Sequence, residues 1–137
     1  AMAVTVVAAA VERDGRVLVL RRAPGQKLAG MWEFPGGKVE PGEREGRALE
    51  RELWEELSIS GETLNFVAEC DHAYDFYPIT LRLYRFRWTG GEIALSVHDR
   101  MEWVTAEGLE TVDFAPADVP LAARLCEVLR AEARKAP

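Results

Sequence analysis

The sequence predicts one α/β domain of 137 residues, on three observations. Apolar runs of strand length stand near the start and at 79–88, a leucine stripe at helical spacing lies between them, and a second such stripe closes the chain. Residues 4–11 form an almost unbroken apolar run, which suits a strand buried on both faces. Arg13-Asp14-Gly15 separates it from Val17-Leu18-Val19-Leu20, and Asp-Gly between two apolar runs is a strong hairpin signal. From Arg21 to Gly42 there are five Gly and three Pro with little apolar periodicity, so this stretch is read as an extended loop, a type that is usually functional in a compact domain.

Pro41-Gly42 leads into a helix over 44–58, with Leu49, Leu53 and Leu57 four apart on one stripe and Trp54 at its flank. A strand is expected at 64–70 and another at 79–88. Residues 79, 81 and 83 face one way and 84, 86 and 88 the other, so both faces are largely apolar, with a bulge placed near Leu83. Thr89-Gly90-Gly91 is read as a turn and Glu102-Trp103-Val104 as a short strand. Residues 117–134 form the last helix, on Leu121, Leu125 and Val128-Leu129. Ala1 ahead of Met2 reads as a cloning remnant.

The chain carries 17 Lys plus Arg against 23 Asp plus Glu, a net charge of −6. That balance argues against a general nucleic-acid binder but not against a small phosphate ligand, because a divalent cation can bridge acidic protein to acidic ligand. No apolar run approaches the roughly 20 residues of a membrane span. Cys70 and Cys126 have no metal-type spacing and are read as free thiols, which places the protein in a reducing, cytoplasmic setting.

Glu52, Glu55 and Glu56 stand at i, i+3 and i+4, within an arc of about 100° on the helix. Hard oxygen donors in that arrangement suit Mg²⁺ or Mn²⁺. Glu45 lies about two turns upstream and is left out of the set. The competing account is a solvated acidic face balanced by Arg47 and Arg51. The loop before the helix shifts the balance: Phe34-Pro35-Gly36-Gly37-Lys38 sets two glycines, which let backbone approach a ligand, beside a lysine that can meet a phosphate.

Gly37, Glu43 and Arg51-Glu52-Leu53-Trp54-Glu55-Glu56-Leu57-Ser58-Ile59 together resemble the Nudix box, G-x5-E-x7-R-E-U-x-E-E-x-G-U with U aliphatic, over 37–59. Ser58 stands where the pattern has its last glycine, and a slightly different helix exit is expected there. Arg21-Arg22, Trp32 to Glu40 and Ala115-Pro116-Ala117-Asp118-Val119-Pro120 extend the likeness to the MutT branch, including its CTP pyrophosphohydrolase-like members.

The resemblance implies an α/β/α sandwich around a mixed β-sheet and a Mg²⁺- or Mn²⁺-dependent enzyme. It would cleave a nucleoside triphosphate to the monophosphate and pyrophosphate, in a role of nucleotide-pool sanitation and DNA repair. It implies Glu52, Glu55, Glu56 and the Gly36 carbonyl as metal ligands, and Glu55 or Glu52 as base. Arg51 would hold a carboxylate in place. Lys38 and Arg22 would lie at the phosphates, and Phe34, Phe76 and Asp118 around the base. Phe34 and Phe76 read equally well as core. Partners would be the nucleotide alone, with no nucleic-acid polymer and no membrane, in a monomer or homodimer.

Three departures stand out. A metal-assisting Glu found in many MutT relatives falls at Val97 here, with His98, Asp99 or Glu102 as substitutes, although a His in such a loop is more often a surface residue. The segment 74–79 is about two residues shorter than in MutT. Asp118 replaces the Asn of MutT. An ionised Asp only accepts hydrogen bonds and would favour the amine of a cytosine over an oxidised guanine, unless burial protonates it. Asp118 could alternatively cap the last helix. Alternatives to the leading function are another nucleoside diphosphate-linked substrate and a non-catalytic binding module.

Overall fold

The computed structural model describes residues 3–136; Ala1 and Met2, the site of the suspected cloning remnant, lie outside them. Strand β1 (Val4–Arg13) turns into β2 (Arg16–Arg22) through Asp14 and Gly15, whose φ values of 51° and 74° are the paired positive angles that a tight two-residue hairpin requires. Two short strands follow, β3 (Trp32–Glu33) and β4 (Gly36–Lys38), then helix α1 (Glu45–Leu57), strands β5 (Ile59–Ala73), β6 (Pro78–Gly91) and β7 (His98–Val104), and helix α2 (Asp118–Lys135).

β1 organises the sheet. It runs parallel to β6 from Val4 opposite Ile79 to Val11 opposite Phe86, and antiparallel to β4 and β2. β2 also carries β3 and β7, and β5 covers the far side of β6. One parallel pair among antiparallel ones makes the sheet mixed. Alternation along β1 sends Val7, Ala9 and Val11 to one face, with Leu49, Leu53 and Leu57 of α1. Ala8 and Ala10 go to the other face, with Leu121 and Leu125 of α2. The result is the expected α/β/α sandwich. Each α1 leucine is fully buried, a contribution of about 1.5–3 kcal/mol apiece. The faces read for β6 hold, since Ile79, Leu81 and Leu83 pack with α2 while Tyr84, Phe86 and Trp88 pack with α1.

Four local readings are corrected. The stretch 21–42 is not all loop, because β3 pairs with β2 and β4 with β1; glycine-rich β4 carries no strand signal, yet its glycines are what let it lie against β1. β6 stays in register with β1 throughout, and the irregularity opposite Leu83 and Tyr84 belongs to β5. Thr89-Gly90-Gly91 completes β6 rather than forming a turn, with Gly90 and Gly91 paired to Ser60 and Ile59. At the end of α1, Ser58 takes φ 61° and ψ 30°, and its N–H donates to Leu53 O and Trp54 O. The exit is therefore the left-handed turn that a glycine would make, kept by a residue with a Cβ.

Candidate active site

A pocket of about 370 Å³ opens between α1, β4 and the start of α2, large enough for a small-molecule ligand. Val6, Val7 and Ala8 of β1 line it. Of the residues singled out in the sequence, it gathers Arg22, Phe34, Gly36, Lys38, Glu52, Glu56, Phe76 and Asp118. Arg51 and Glu55 are outside the lining.

The glycine pair has a steric cause. A Cβ on Gly36 would stand 1.9 Å from Val7 O, and one on Gly37 would stand 2.1 Å from Glu52 Oε2. Both positions must be bare for β4 to pass between β1 and α1, which brings the Gly36 backbone beside Glu52 and Glu56. Burial raises the Glu52 carboxyl above its ordinary range, against the pull of Arg51. Burial raises Glu56 much further, to about 8, with Glu33 and then Glu52 adding to the rise and the Gly36 backbone opposing it. Glu56 Oε1 is buried with no hydrogen-bond partner.

An orphaned buried carboxylate oxygen beside a second carboxylate and a glycine backbone is a donor set that suits a hard divalent cation. Glu52, Glu56 and Gly36 fit that description. Glu55 stands at their edge, its side chain 56% exposed, and accepts from the same Arg51 Nη1 that holds Glu52, at 3.1 Å. Among the described residues no group of three His, Cys, Asp or Glu stands close enough to cage a metal ion unaided. Glu45, left out of the set in the sequence, is held by Arg82 and Tyr84 of β6.

Arg51 ties the loop to the helix. Its Nε and Nη2 donate to the two oxygens of Glu43 at 2.8 and 2.9 Å, Nη1 donates to Glu52 Oε1 at 2.9 Å, and Nη2 donates to Lys38 O at 3.1 Å. The guanidinium holds the Glu43 carboxyl down to about 2. Arg51 thus fixes the rotamer of Glu52 and the backbone at Lys38 together.

At the other end, Asp118 is 5% exposed. The capping alternative fails, because Asp118 is the first residue of α2 and the N-cap, Ala117, makes no side-chain cap. Its Oδ2 instead accepts from the Phe34 N–H at 3.1 Å. Burial, then the charge of Glu33, raises its carboxyl well above the usual range. The shift favours the protonated form, in which Asp118 offers a donor as well as an acceptor. Phe34 is both core and lining, 3% exposed and stacked on Phe114 at 5.1 Å.

Glu33 was quoted in the sequence only as part of a motif, yet it lies between the two ends. Arg22 Nη1 donates to its Oε2 at 3.0 Å, and His98 Nε2 lies 2.7 Å from the same oxygen. A carboxylate between Trp32 and Phe34 in an otherwise apolar segment is the signal that could have found it. His98 is 5% exposed and not a surface residue. Asp99 pairs with Arg21 and Glu102 with Arg100, while the Val97 carbonyl accepts from Ala23 N–H, so neither carboxylate reaches the pocket. Arg22 is turned inward, to Glu33, Lys27 O and Gln26.

A model of the NUDIX domain matches residues 6–124. The chain belongs to the Nudix family. Within it the chain falls in the MutT-like branch. The CTP pyrophosphohydrolase of Escherichia coli (strain K12) is 38% identical over 118 residues, covering 86% of this chain and 87% of that one. The 8-oxo-dGTP diphosphatase of Haemophilus influenzae is 36% identical over 126 residues, covering 87% and 89%. The solution structure of the E. coli ORF135 protein superposes with a TM-score of 0.80 at 38% identity, covering 98% of this chain and 94% of that one. This Nudix protein is accordingly a hydrolase, of the general nucleoside triphosphate pyrophosphohydrolase kind. No helix among the described residues is long and apolar enough to cross a membrane.

Proposed function

We propose that this protein, acting as one Nudix domain, hydrolyses a modified nucleoside triphosphate to the monophosphate and pyrophosphate with the aid of Mg²⁺ or Mn²⁺. The observation that carries the reading is the shared pocket: a carboxylate pair at Glu52 and Glu56 with an orphaned buried oxygen at one end, and a buried Asp118 bonded to the Phe34 N–H at the other. Glu56, Glu52 and the Gly36 carbonyl would hold the cation. When bound, it supplies Lewis acidity toward phosphate oxygens and neutralises the charge that collects on them.

The chain's own residues do the remainder. Glu52 accepts the proton of the attacking water, a role that its pocket position and raised carboxyl favour over exposed Glu55. Arg51 keeps Glu52 oriented. The water oxygen bonds to a phosphorus of the first anhydride, the P–O bond to the leaving group breaks, and pyrophosphate departs. Lys38 meets the phosphates as a point charge, with Arg22 adding positive charge to the same wall.

The base is taken as an oxidised purine: burial favours the protonated form of Asp118, which can donate to O6 and accept from N7–H of 8-oxoguanine, although the same pair would also fit N3 and N4–H of cytosine, so the substrate panel decides between them. Phe34 and Phe76 would flank the base. A panel of ordinary and oxidised nucleoside triphosphates, with pyrophosphate and monophosphate measured together, tests the reading. Efficient turnover of 8-oxo-dGTP above CTP supports it; the reverse order moves the assignment to cytidine nucleotides.

A further inference from the structure

We infer that Lys27 is a further phosphate-binding residue, acting with Lys38 across the ring of Tyr77 on the polyphosphate chain of the substrate. The inference rests on the nucleoside triphosphate reading above. Both residues line the pocket, and both ammonium groups lie over one aromatic ring: Lys38 Nζ is 4.6 Å from the Tyr77 centroid and Lys27 Nζ is 5.0 Å from it. Lys27 Nζ also lies 4.5 Å over Phe76.

Neither lysine forms an ion pair among the described residues. Arg21, Arg22, Arg51, Arg82, Arg85 and Arg100 all hold carboxylates. In a chain with more acids than bases, two like charges left facing one ring at the mouth of a pocket mark a place for an anion. The rings stabilise each ammonium modestly and keep part of its surroundings dry. They supply no counter-charge. A polyphosphate, with oxygens on several phosphorus atoms, can meet both at once, and each ammonium can turn its three donors toward it.

The loop that carries Lys27 is held independently of that side chain. Arg22 Nε donates to Lys27 O at 2.5 Å, Gly30 N–H donates to Arg22 O at 2.9 Å, and Met31 N–H donates to Leu28 O at 3.0 Å. Leu28 is held at φ 59° beside it and lines the pocket. The Cα of Lys27 is thereby placed by backbone, and the ammonium can leave its rings for a ligand without rebuilding the loop. Arg22 serves as the brace of this loop.

The test is steady-state kinetics of Lys27→Met and Lys27→Arg with saturating Mg²⁺ and pyrophosphate release as readout. Lys27→Met should raise KM about tenfold with kcat within about twofold, and Lys27→Arg should restore most of the loss. The inhibition constant of inorganic tripolyphosphate should rise in step with KM, while that of the nucleoside monophosphate changes less than about twofold. Normal wild-type turnover with an unchanged KM in Lys27→Met would overturn the inference alone. A fall in kcat and melting temperature that Lys27→Arg does not restore would show a structural role and overturn it equally. Absence of wild-type turnover on every triphosphate would overturn the functional reading and this inference with it.

Discussion

Glu56 and Asp118 are two buried carboxyls at opposite ends of one pocket, both raised by burial and by the charge of Glu33, and they differ in what answers them. Asp118 has a backbone donor, the Phe34 N–H. Glu56 keeps one buried oxygen with no partner at all. Burial and Glu33 favour the neutral form of both carboxyls; at Asp118 the Phe34 N–H opposes that rise and fixes the orientation of the group, which suits reading a base. Burial that is left unanswered stores an electrostatic demand that a cation meets. The same physical force therefore serves recognition at one end and chemistry at the other, and Glu33, braced by Arg22 and His98, lies within reach of both.

The largest effect that bears on this contrast is at the chemical end. Glu52→Gln should lower kcat by about 10²–10⁴, the usual range for loss of a general base, and Glu55→Gln by much less. An equal loss in both would remove the distinction drawn from their positions.

Glu56→Gln separates the electrostatic demand from activity. In the metal-free protein the Glu56 carboxyl holds its proton to about pH 8, while the unfolded chain releases it in the ordinary carboxylate range. The folded state then binds more protons between those limits, so stability falls as pH rises through that window. Each unit of the difference is worth about 1.4 kcal/mol, so Glu56→Gln should raise the melting temperature of the metal-free protein at pH 8 and leave it nearly unchanged at pH 4. Added Mg²⁺ should stabilise the wild type and not the variant.

At the recognition end, Asp118→Asn keeps a donor and an acceptor. It should hold the KM for an oxidised purine nucleotide within a few fold, whereas Asp118→Ala should raise it about tenfold, the worth of one good hydrogen bond. The wild type, which must keep Asp118 protonated among Glu33, Arg22, Tyr74 and Cys70, should lose affinity on the alkaline side of its profile. Asp118→Asn should not. The smallest effect is at the helix exit: Ser58→Gly relieves a left-handed non-glycine residue and should stabilise the fold by under about 1 kcal/mol without changing kcat.

Much of this was legible in the sequence for physical reasons. The Leu49–Leu53–Leu57 stripe, the Asp14-Gly15 hairpin and the 79–88 strand are set by local periodicity and turn chemistry, and the structure keeps all three. β4 was missed because a glycine-rich strand carries no apolar alternation; its pairing comes from close approach to Val7 and Glu52, which only the three-dimensional arrangement supplies. Glu52 and Glu56 could be placed together from helical spacing. The outward turn of Glu55 could not, because it depends on Arg51, whose other bonds reach Glu43 and Lys38 O eight and thirteen positions away. The raised carboxyl of Asp118 was foreseen only as a condition, since it depends on the packing of Glu33 and Phe34, which lie more than eighty positions away in sequence.

The central claim is that one pocket joins a cation-assisted carboxylate site to a base-reading site. Pyrophosphate release from a panel of triphosphates, with and without Mg²⁺ and with the wild type beside Glu56→Gln, tests it most directly. The account predicts one pyrophosphate per monophosphate formed, strict dependence on Mg²⁺, preference for an oxidised purine, and near-complete loss in the variant. Release of orthophosphate instead, or Mg²⁺-dependent turnover that survives Glu56→Gln, would contradict it.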